Sequence, residues 1–469
     1  MTTPKPAANV VDFADHKTAE QAAKDLVPVL SEHTIALEFV DRHIDMVRFD
    51  CTSRSWHIWN GGRWKRDETN AAAAWTRSVV ASMAADQNAP DRRRLGSRRF
   101  AMGVEGFAQT DQRITVTRNH WDRDVDLIGT PTGVVDLKSG EFFDPTPGYF
   151  ITKSTTVDPD ITIDCPRWLK FLDEITESDK ALKQFLQLWF GYSLTAETRE
   201  QKLAFLYGKG GRGKGTLAHT LRKLMGDYAT MASMETFTDS KFDGHPEQLA
   251  RLASMRMVVS SETEEGHRWR ENRIKLLTGG DAITARNMGE NSFTYEPTAK
   301  FTFLGNRSPT LNNVDEAMRR RFIVVPFDHA PVEVDTRLDE VFAKEAAGIL
   351  RWAIHGAVAW YNNGQDLILP KAISEATTRY FDEQNIFGQW LDECCRVEPD
   401  NEYLTEKTAA LFASWQDFAR RHGEEPGKQK DFNEKLRDNG FDTKQIKTLG
   451  TTGCRGIQLK IKHAWQDDR

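Results

Sequence analysis

Lys214 has the clearest chemical setting in this sequence. It lies near the end of the run Leu203-Ala-Phe-Leu-Tyr-Gly-Lys-Gly-Gly-Arg-Gly-Lys-Gly-Thr216. An apolar segment passes into a glycine-rich loop over Gly208–Gly213. Leu217, Leu221, Leu224 and Met225 then follow at helical spacing until Gly226. Strand, glycine loop, lysine and helix make the context of a phosphate-binding loop. Glycines let backbone N–H groups converge on phosphate oxygens, and the helix N-terminus adds its positive end. Lys214 is expected to bridge the β- and γ-phosphates of ATP. Gly208, Gly210, Gly211, Arg212, Gly213, Gly215 and Thr216 are expected to line the nucleotide. One position departs from the usual pattern: Gly215 stands where a Ser or Thr normally holds Mg²⁺, with Thr216 next. Either Thr216 supplies the hydroxyl or the metal is held through water.

Three further stretches could complete such a site. Met255–Glu265 reads as a buried strand ending at Glu262 and Glu264. Carboxylates there can hold Mg²⁺ or orient an attacking water. Lys300-Phe-Thr-Phe-Leu-Gly-Asn306 is another short strand, and its terminal amide can sense the γ-phosphate. Met318-Arg-Arg-Arg-Phe-Ile-Val-Val-Pro-Phe327 puts three arginines before a fourth strand, where a guanidinium can stabilise transition-state charge.

The elements that must position these residues follow from pattern and composition. A length of 469 residues suggests about three domains. Helices alternating with short buried strands over 201–330 predict a parallel α/β sheet. Upstream, residues 1–30 read as a tail, and 31–160 as a mixed α+β domain. That domain has one aromatic hairpin turning at Asn60-Gly61-Gly62 and another turning at Lys138-Ser139-Gly140. The ATPase domain is expected over 161–395, Glu398–Glu402 as a linker, and a small module over 403–463. With 13 Trp and 26 Phe the chain must bury a core, which excludes wholesale disorder. No apolar run reaches the ~20 residues of a membrane span. The five cysteines form no CxxC pair, and Met1–Val11 lacks an export signal, so a reduced, cytoplasmic protein is expected. The net charge of −6 argues against coating nucleic acid non-specifically, while leaving room for local basic sites.

Together these stretches resemble superfamily 3 helicases, in the poxvirus D5-like, phage and plasmid primase–helicase branch. The likeness rests on Gly208–Thr216, Val258–Gly266, Lys275–Asp281, Phe303–Asn306 and Arg319–Phe327. Upstream it rests on Trp59–Trp64 and Gly129–Leu137. It implies a P-loop, AAA+-like ATPase core that unwinds DNA during phage- or plasmid-type replication. Lys214 falls on Walker A, Glu262 on Walker B and Asn306 on the sensor strand. The arginine finger falls on Arg321, with Arg320 a close second. A finger of this kind works on a neighbour's ATP, so a closed ring, by resemblance a hexamer, is implied.

The resemblance also implies a β-hairpin within Thr278–Pro297 that grips single-stranded DNA. Arg286 and Asn287 lie near its tip and Lys275 assists; Glu290 has the opposite charge. The segment Lys428–Lys462 carries 9 Lys/Arg against 4 Asp/Glu. The module's pattern of a helix over Thr408–His422, a helix over Lys430–Asn439 and a hairpin turning at Gly450–Gly453 suits a winged-helix-like module. Lys428, Lys430, Lys444, Lys447 and Arg455 are its candidate contacts to duplex or forked DNA. The cluster Arg92–Arg99 reads equally as a solvated loop or an auxiliary DNA patch. The Asp124-Val-Asp126 pair has a polar flank poor for a catalytic strand, so a primase or polymerase is expected to be a separate partner. Two other readings remain open. One is an initiator or loader that remodels DNA without processive unwinding. The other is a small-molecule phosphotransferase, suggested by the adenylate-kinase-like Gly-Lys-Gly-Thr.

Overall fold

The aromatic segment around Asn60 turns as its glycines dictate. Val47–Asp50 (β1), Ser55–Trp59 (β2), Trp64–Arg66 (β3) and Thr115–Val116 (β4) form a sheet in the order β3-β2-β1-β4. The turn joins β2 to β3 antiparallel, and β4 runs parallel to β1. Helices Glu32–His43 (α1), Ala71–Ala84 (α2), Ala89–Leu95 (α3) and Arg98–Ala108 (α4) accompany it. Ile35, Phe39, Val79, Val80, Phe100 and Val104 make their shared core. Arg92, Arg93, Arg94, Arg98 and Arg99 are all exposed. The computed structural model describes residues 30–239, 246–261, 268–286, 288–289, 291–306, 309–311, 315–331, 335–446 and 449–460. The tail expected over 1–30 falls almost wholly outside this set, as do Glu262, Glu264, Asn287, Glu290 and Lys447.

The chain forms two compact units. One runs up to Arg123 and includes 144–152; the other comprises 124–143 and everything from Lys153 onward. The single block expected over 31–160 is therefore divided. Its second hairpin, Leu127–Gly129 (β5), Val134–Asp136 (β6) and Phe142–Phe143 (β7), belongs to the second unit. The reason is local bonding: Arg256 donates to the Leu127 carbonyl at 2.7 Å, and Gly129 N–H donates to the Tyr228 hydroxyl at 2.8 Å.

The second unit is built on a five-stranded sheet. Its helices and strands begin with Pro166–Thr176 (α5), Lys180–Leu194 (α6), Leu203–Tyr207 (β8), Lys214–Met225 (α7), Ala229–Met231 (β9), Pro246–Ala250 (α8) and Met257–Ser261 (β10). Glu271–Gly279 (α9), Ile283–Ala285 (β11), Phe293–Tyr295 (β12), Lys300–Gly305 (β13), Glu316–Arg319 (α10) and Phe322–Pro326 (β14) follow. The strand order is β14-β8-β13-β10-β9, with every neighbouring pair parallel. Successive side chains alternate between two cores, as strands covered on both faces require. Ala204, Leu206, Val259, Ile323 and Val325 join one, while Leu203, Phe205, Val258, Phe301, Phe303, Phe322 and Val324 join the other. Off the sheet, β11 and β12 pair antiparallel, so the expected hairpin is present.

The C-terminal third continues with Leu338–Lys344 (α11), Ala346–Asn362 (α12), Lys371–Gln384 (α13), Ile386–Cys394 (α14), Cys395–Val397 (β15) and Thr405–Lys407 (β16). Thr408–Arg421 (α15), Gln429–Asp438 (α16), Thr443–Ile446 (β17), Thr451–Arg455 (β18) and Ile457–Leu459 (β19) complete it. The last module starts near Ile386, ahead of the expected 403. Phe387, Trp390, Leu391 and Cys395 share one core with Leu411, Trp415, Phe418, Phe432, Leu436 and Ile457, and β15 pairs with β19. Glu398–Glu402, expected as a linker between domains, is thus a loop inside the module. Thr451–Gly453 lie within β18 and not in the turn, because Ile446 is already paired with Thr451. No helix among the described residues is long and apolar enough to cross a membrane.

Candidate active site

The glycine loop leaves β8 at its C-terminal end and enters α7 at Lys214. Gly208 has φ +149°, and a Cβ there would stand 2.1 Å from the Phe327 carbonyl oxygen. Gly213, at φ +81°, presses the loop onto Ile175 and Phe171, with a Cβ falling 2.5 Å from Ile175. Both positions demand glycine, for backbone conformation and for space. Arg212 ties the loop across to β14 by donating to the Phe327 carbonyl at 3.1 Å.

Lys214 is 6% exposed. Its ammonium donates to the carbonyls of Gly208 and Lys209 and to Asn306 Oδ1, the last at 3.0 Å. Two residues 92 positions apart therefore meet, because β13 and β8 are adjacent and parallel, with Gly305 opposite Tyr207. Burial, and secondarily the charge of Arg212, lowers the Lys214 pKa from its ordinary value. The first turn of α7 holds no acid that would repel an anion. A buried cation, a helix N-terminus and a loop that is glycine at 208, 210, 211 and 213 suit a polyphosphate. Thr216, half-buried in that first turn, is the described hydroxyl closest in sequence to Lys214. β10 ends at Ser261, and the acids Glu262 and Glu264 fall just past the described strand.

The arginines depart from expectation. Arg321 is 6% exposed. Its Nε donates to Thr278 Oγ1 at 3.0 Å and its Nη1 to the Ala317 carbonyl at 2.8 Å. It precedes β14, whose Phe322 pairs with Leu203 at the start of β8 and whose Pro326 pairs with Tyr207 at its end. Arg320 and Arg321 thus stand at the opposite end of the sheet from the glycine loop, roughly 15 Å away at parallel-strand rise. Arg321, which the resemblance places at the arginine finger, therefore does not lie near its own loop. Its guanidinium is also committed to its own chain, whereas Arg320 is exposed. Arg319 is engaged as well, pairing with Asp382 at 3.3 Å and stacking on Phe381.

Lys275 sits on α9 and forms an ion pair with Asp315, which makes it a tether and not a free phosphate contact. Arg286 is exposed directly after β11, beside an 84% exposed Met288. In the last module Lys428, Lys430, Lys444 and Arg455 are exposed. Lys444 lies opposite Gly453, two residues from Arg455, so both occupy one face of the sheet. Each has an acidic neighbour, Asp442 at 3.1 Å and Glu402 at 3.3 Å. Sequence reasoning missed Thr278 and Asp315. The only local signal was the capping acid Asp315 before α10, where it accepts from Met318 N–H at 2.7 Å.

Comparison with known proteins adds the lineage. Residues 36–177 match the family described as D5 N terminal like, and residues 206–321 a family of unknown function (DUF5906). Among curated relatives, "Putative helicase 022R" of Frog virus 3 is 24% identical over 244 residues, 48% of this chain and 25% of that protein. "Putative helicase L207/L206" of Acanthamoeba polyphaga mimivirus is 25% identical over 299 residues, 58% and 31%. "Putative helicase 184R" of Invertebrate iridescent virus 6 is 24% identical over 337 residues, 63% and 34%. Over these stretches the chain is similar to the D5 N terminal like family and to putative viral helicases. It spans about a quarter to a third of the length of these relatives. Among solved structures, the apo C-terminal region of NrS-1 shares the fold at a TM-score of 0.50 and 13% identity, covering 92% of this chain and 99% of that one. The D5 N-terminal-like match crosses from the first compact unit into the second, taking in β5–β7 and α5.

Proposed function

We propose that this chain is an ATP-driven DNA helicase of superfamily 3 type, with an AAA+-like core and a winged-helix-like C-terminal module, acting in DNA replication. The observation that carries the reading is the meeting of Lys214 and Asn306 at 3.0 Å beside a glycine loop. A phosphate-binding lysine and a sensor amide from the adjacent parallel strand then converge on one terminal phosphate. Support also comes from the similarity of residues 36–177 to the D5 N terminal like family and from the putative viral helicases that the chain resembles.

In this reading Gly208–Thr216 hold the triphosphate, and Lys214 neutralises charge on its β- and γ-oxygens. Mg²⁺, held through Thr216 and the Glu262 region, supplies further charge neutralisation. Asn306 fixes the attacking water. Glu262, one residue past β10, orients or deprotonates it. Arg320 is the finger, since it is exposed and too far from its own loop to serve it; it acts on the ATP of another copy, which calls for a head-to-tail ring. The hairpin β11–β12, with Arg286 at its tip, contacts single-stranded DNA, and the C-terminal module contacts duplex.

The test is ATP turnover with and without single-stranded DNA, together with strand displacement on a fork. Wild type is expected to be stimulated by DNA and to displace the strand, while Glu262→Gln binds ATP and barely hydrolyses it. Stimulation without displacement favours an initiator or loader. Turnover indifferent to DNA overturns the reading.

A further inference from the structure

The helix α9 leads directly into the hairpin β11–β12 and also grips the turn that carries the arginines. Two side-chain contacts make the grip. Lys275 pairs with Asp315, which caps α10 through Met318 N–H. Thr278 Oγ1 accepts from Arg321 Nε at 3.0 Å. The same hydroxyl donates to the Ile274 carbonyl at 2.7 Å, so it is locked to its own helix. Thr278 is 5% exposed and Arg321 6%. Ile274 and Leu277 of α9 share a core with Met318 of α10, Phe322 of β14 and Ile283 of the hairpin. Asp315 is partly buried, which opposes its ionisation, but the hydrogen bonds from Lys275 and from Met318 N–H prevail and lower its pKa. Between α9 and β11 only Gly280, at φ +86°, Asp281 and Ala282 intervene.

We infer that Lys275, Thr278, Asp315 and Arg321 form a clamp coupling the Arg320 turn to the DNA hairpin. The inference rests on the function proposed above. Arg320 answers to a neighbour's ATP, and the hairpin answers to DNA; the clamp makes the two move as one body. Arg321 is then a positioning residue, acting through Arg320. Packed elements transmit displacement because side-chain interlocks hold discrete arrangements and do not deform continuously.

Lys275→Gln and Asp315→Asn test this in the full chain. They delete opposite charges, yet a clamp predicts the same outcome from both. Basal ATPase of Asp315→Asn stays within about twofold of wild type, and stimulation by single-stranded DNA falls several-fold in each variant. The double variant falls no further than either single, since one contact is being removed. Thr278→Val behaves alike, and Thr278→Ser, which keeps the hydroxyl, restores stimulation. If the two residues were independent electrostatic contacts to DNA, Lys275→Gln would weaken binding and Asp315→Asn would strengthen it. Opposite shifts, or unchanged stimulation in both, overturn the clamp while leaving the helicase reading intact. A wild-type ATPase indifferent to DNA removes both.

Discussion

The two ends of the parallel sheet both hold buried cations, and they use them differently. At the N-terminal end, Arg256, Lys300 and Arg321 each directly precede or begin a strand and are 3%, 1% and 6% exposed. Arg256 donates to the carbonyls of Leu194 and Leu127, and Lys300 to those of Thr195, Glu197 and Thr298. Arg321 spends its donors on Thr278 and Ala317. Burial, with Arg256 nearby, holds the Lys300 amine well below its ordinary range. These cations satisfy loop carbonyls that would otherwise be buried without partners, and so fasten segments to the sheet. At the C-terminal end, Lys214 is equally buried, but its partners are a glycine loop and an exposed asparagine. A phosphate can compete with those acceptors for the ammonium, because glycine at 208, 210, 211 and 213 leaves the loop backbone open to approach. The buried cations before strands therefore belong to the architecture, and the proposed function assigns the one after the glycine loop to the chemistry.

The sharpest test is Lys214→Ala. ATP turnover should fall by about a hundredfold or more, as when a preorganised charge is removed from a transition state. The melting temperature should stay near wild type. Comparable loss of stability would mean that Lys214 is one more fastening.

Arg320→Ala comes next. Its side chain is exposed, so the fold should be kept, while hydrolysis should drop at least about a hundredfold, short of the roughly 10³–10⁵-fold that a finger arginine can contribute. Mixing this variant with Lys214→Ala should recover activity, since a mixed junction pairs an intact loop with an intact arginine. Absence of recovery at every ratio, in rings shown by mass to be mixed, argues against action between copies.

Arg321→Ala and Lys300→Met probe the other end of the sheet. Each strands buried acceptors, at a cost of about 2–3 kcal/mol. Thermal melting should fall by several degrees. ATP turnover without DNA, per folded molecule, should hold within a few-fold. A hundredfold loss from Arg321→Ala at unchanged stability would restore it as the finger.

The smallest effect is expected at Gly215. A Cβ there meets nothing within 4 Å, and the residue is the second of α7. Gly215→Ala should raise stability by about 0.5 kcal/mol through helix propensity, measurable as a shift in the denaturant midpoint.

Much of this was legible in the residues themselves. The strand, loop and helix around Lys214 were readable because glycine, lysine and leucine periodicity report backbone conformation locally. The hairpins at Asn60 and Lys138 were readable from their turns, and the parallel sheet from its apolar runs. The arginine trio was not, since Arg319, Arg320 and Arg321 are chemically alike and one residue of offset turns a buried side chain into an exposed one. Lys275 read as a DNA contact because its partner, Asp315, lies 40 residues away. The start of the last module was missed for a similar reason: Phe387 and Trp390 look like the end of a helical run until they are seen packed with Trp415 and Phe432. The sequence by itself determined which segments could bind phosphate and which could bury, because both depend on neighbours within a few residues. Only the tertiary structure decided which charges were already taken, because a charge is neutralised by whatever the fold brings against it.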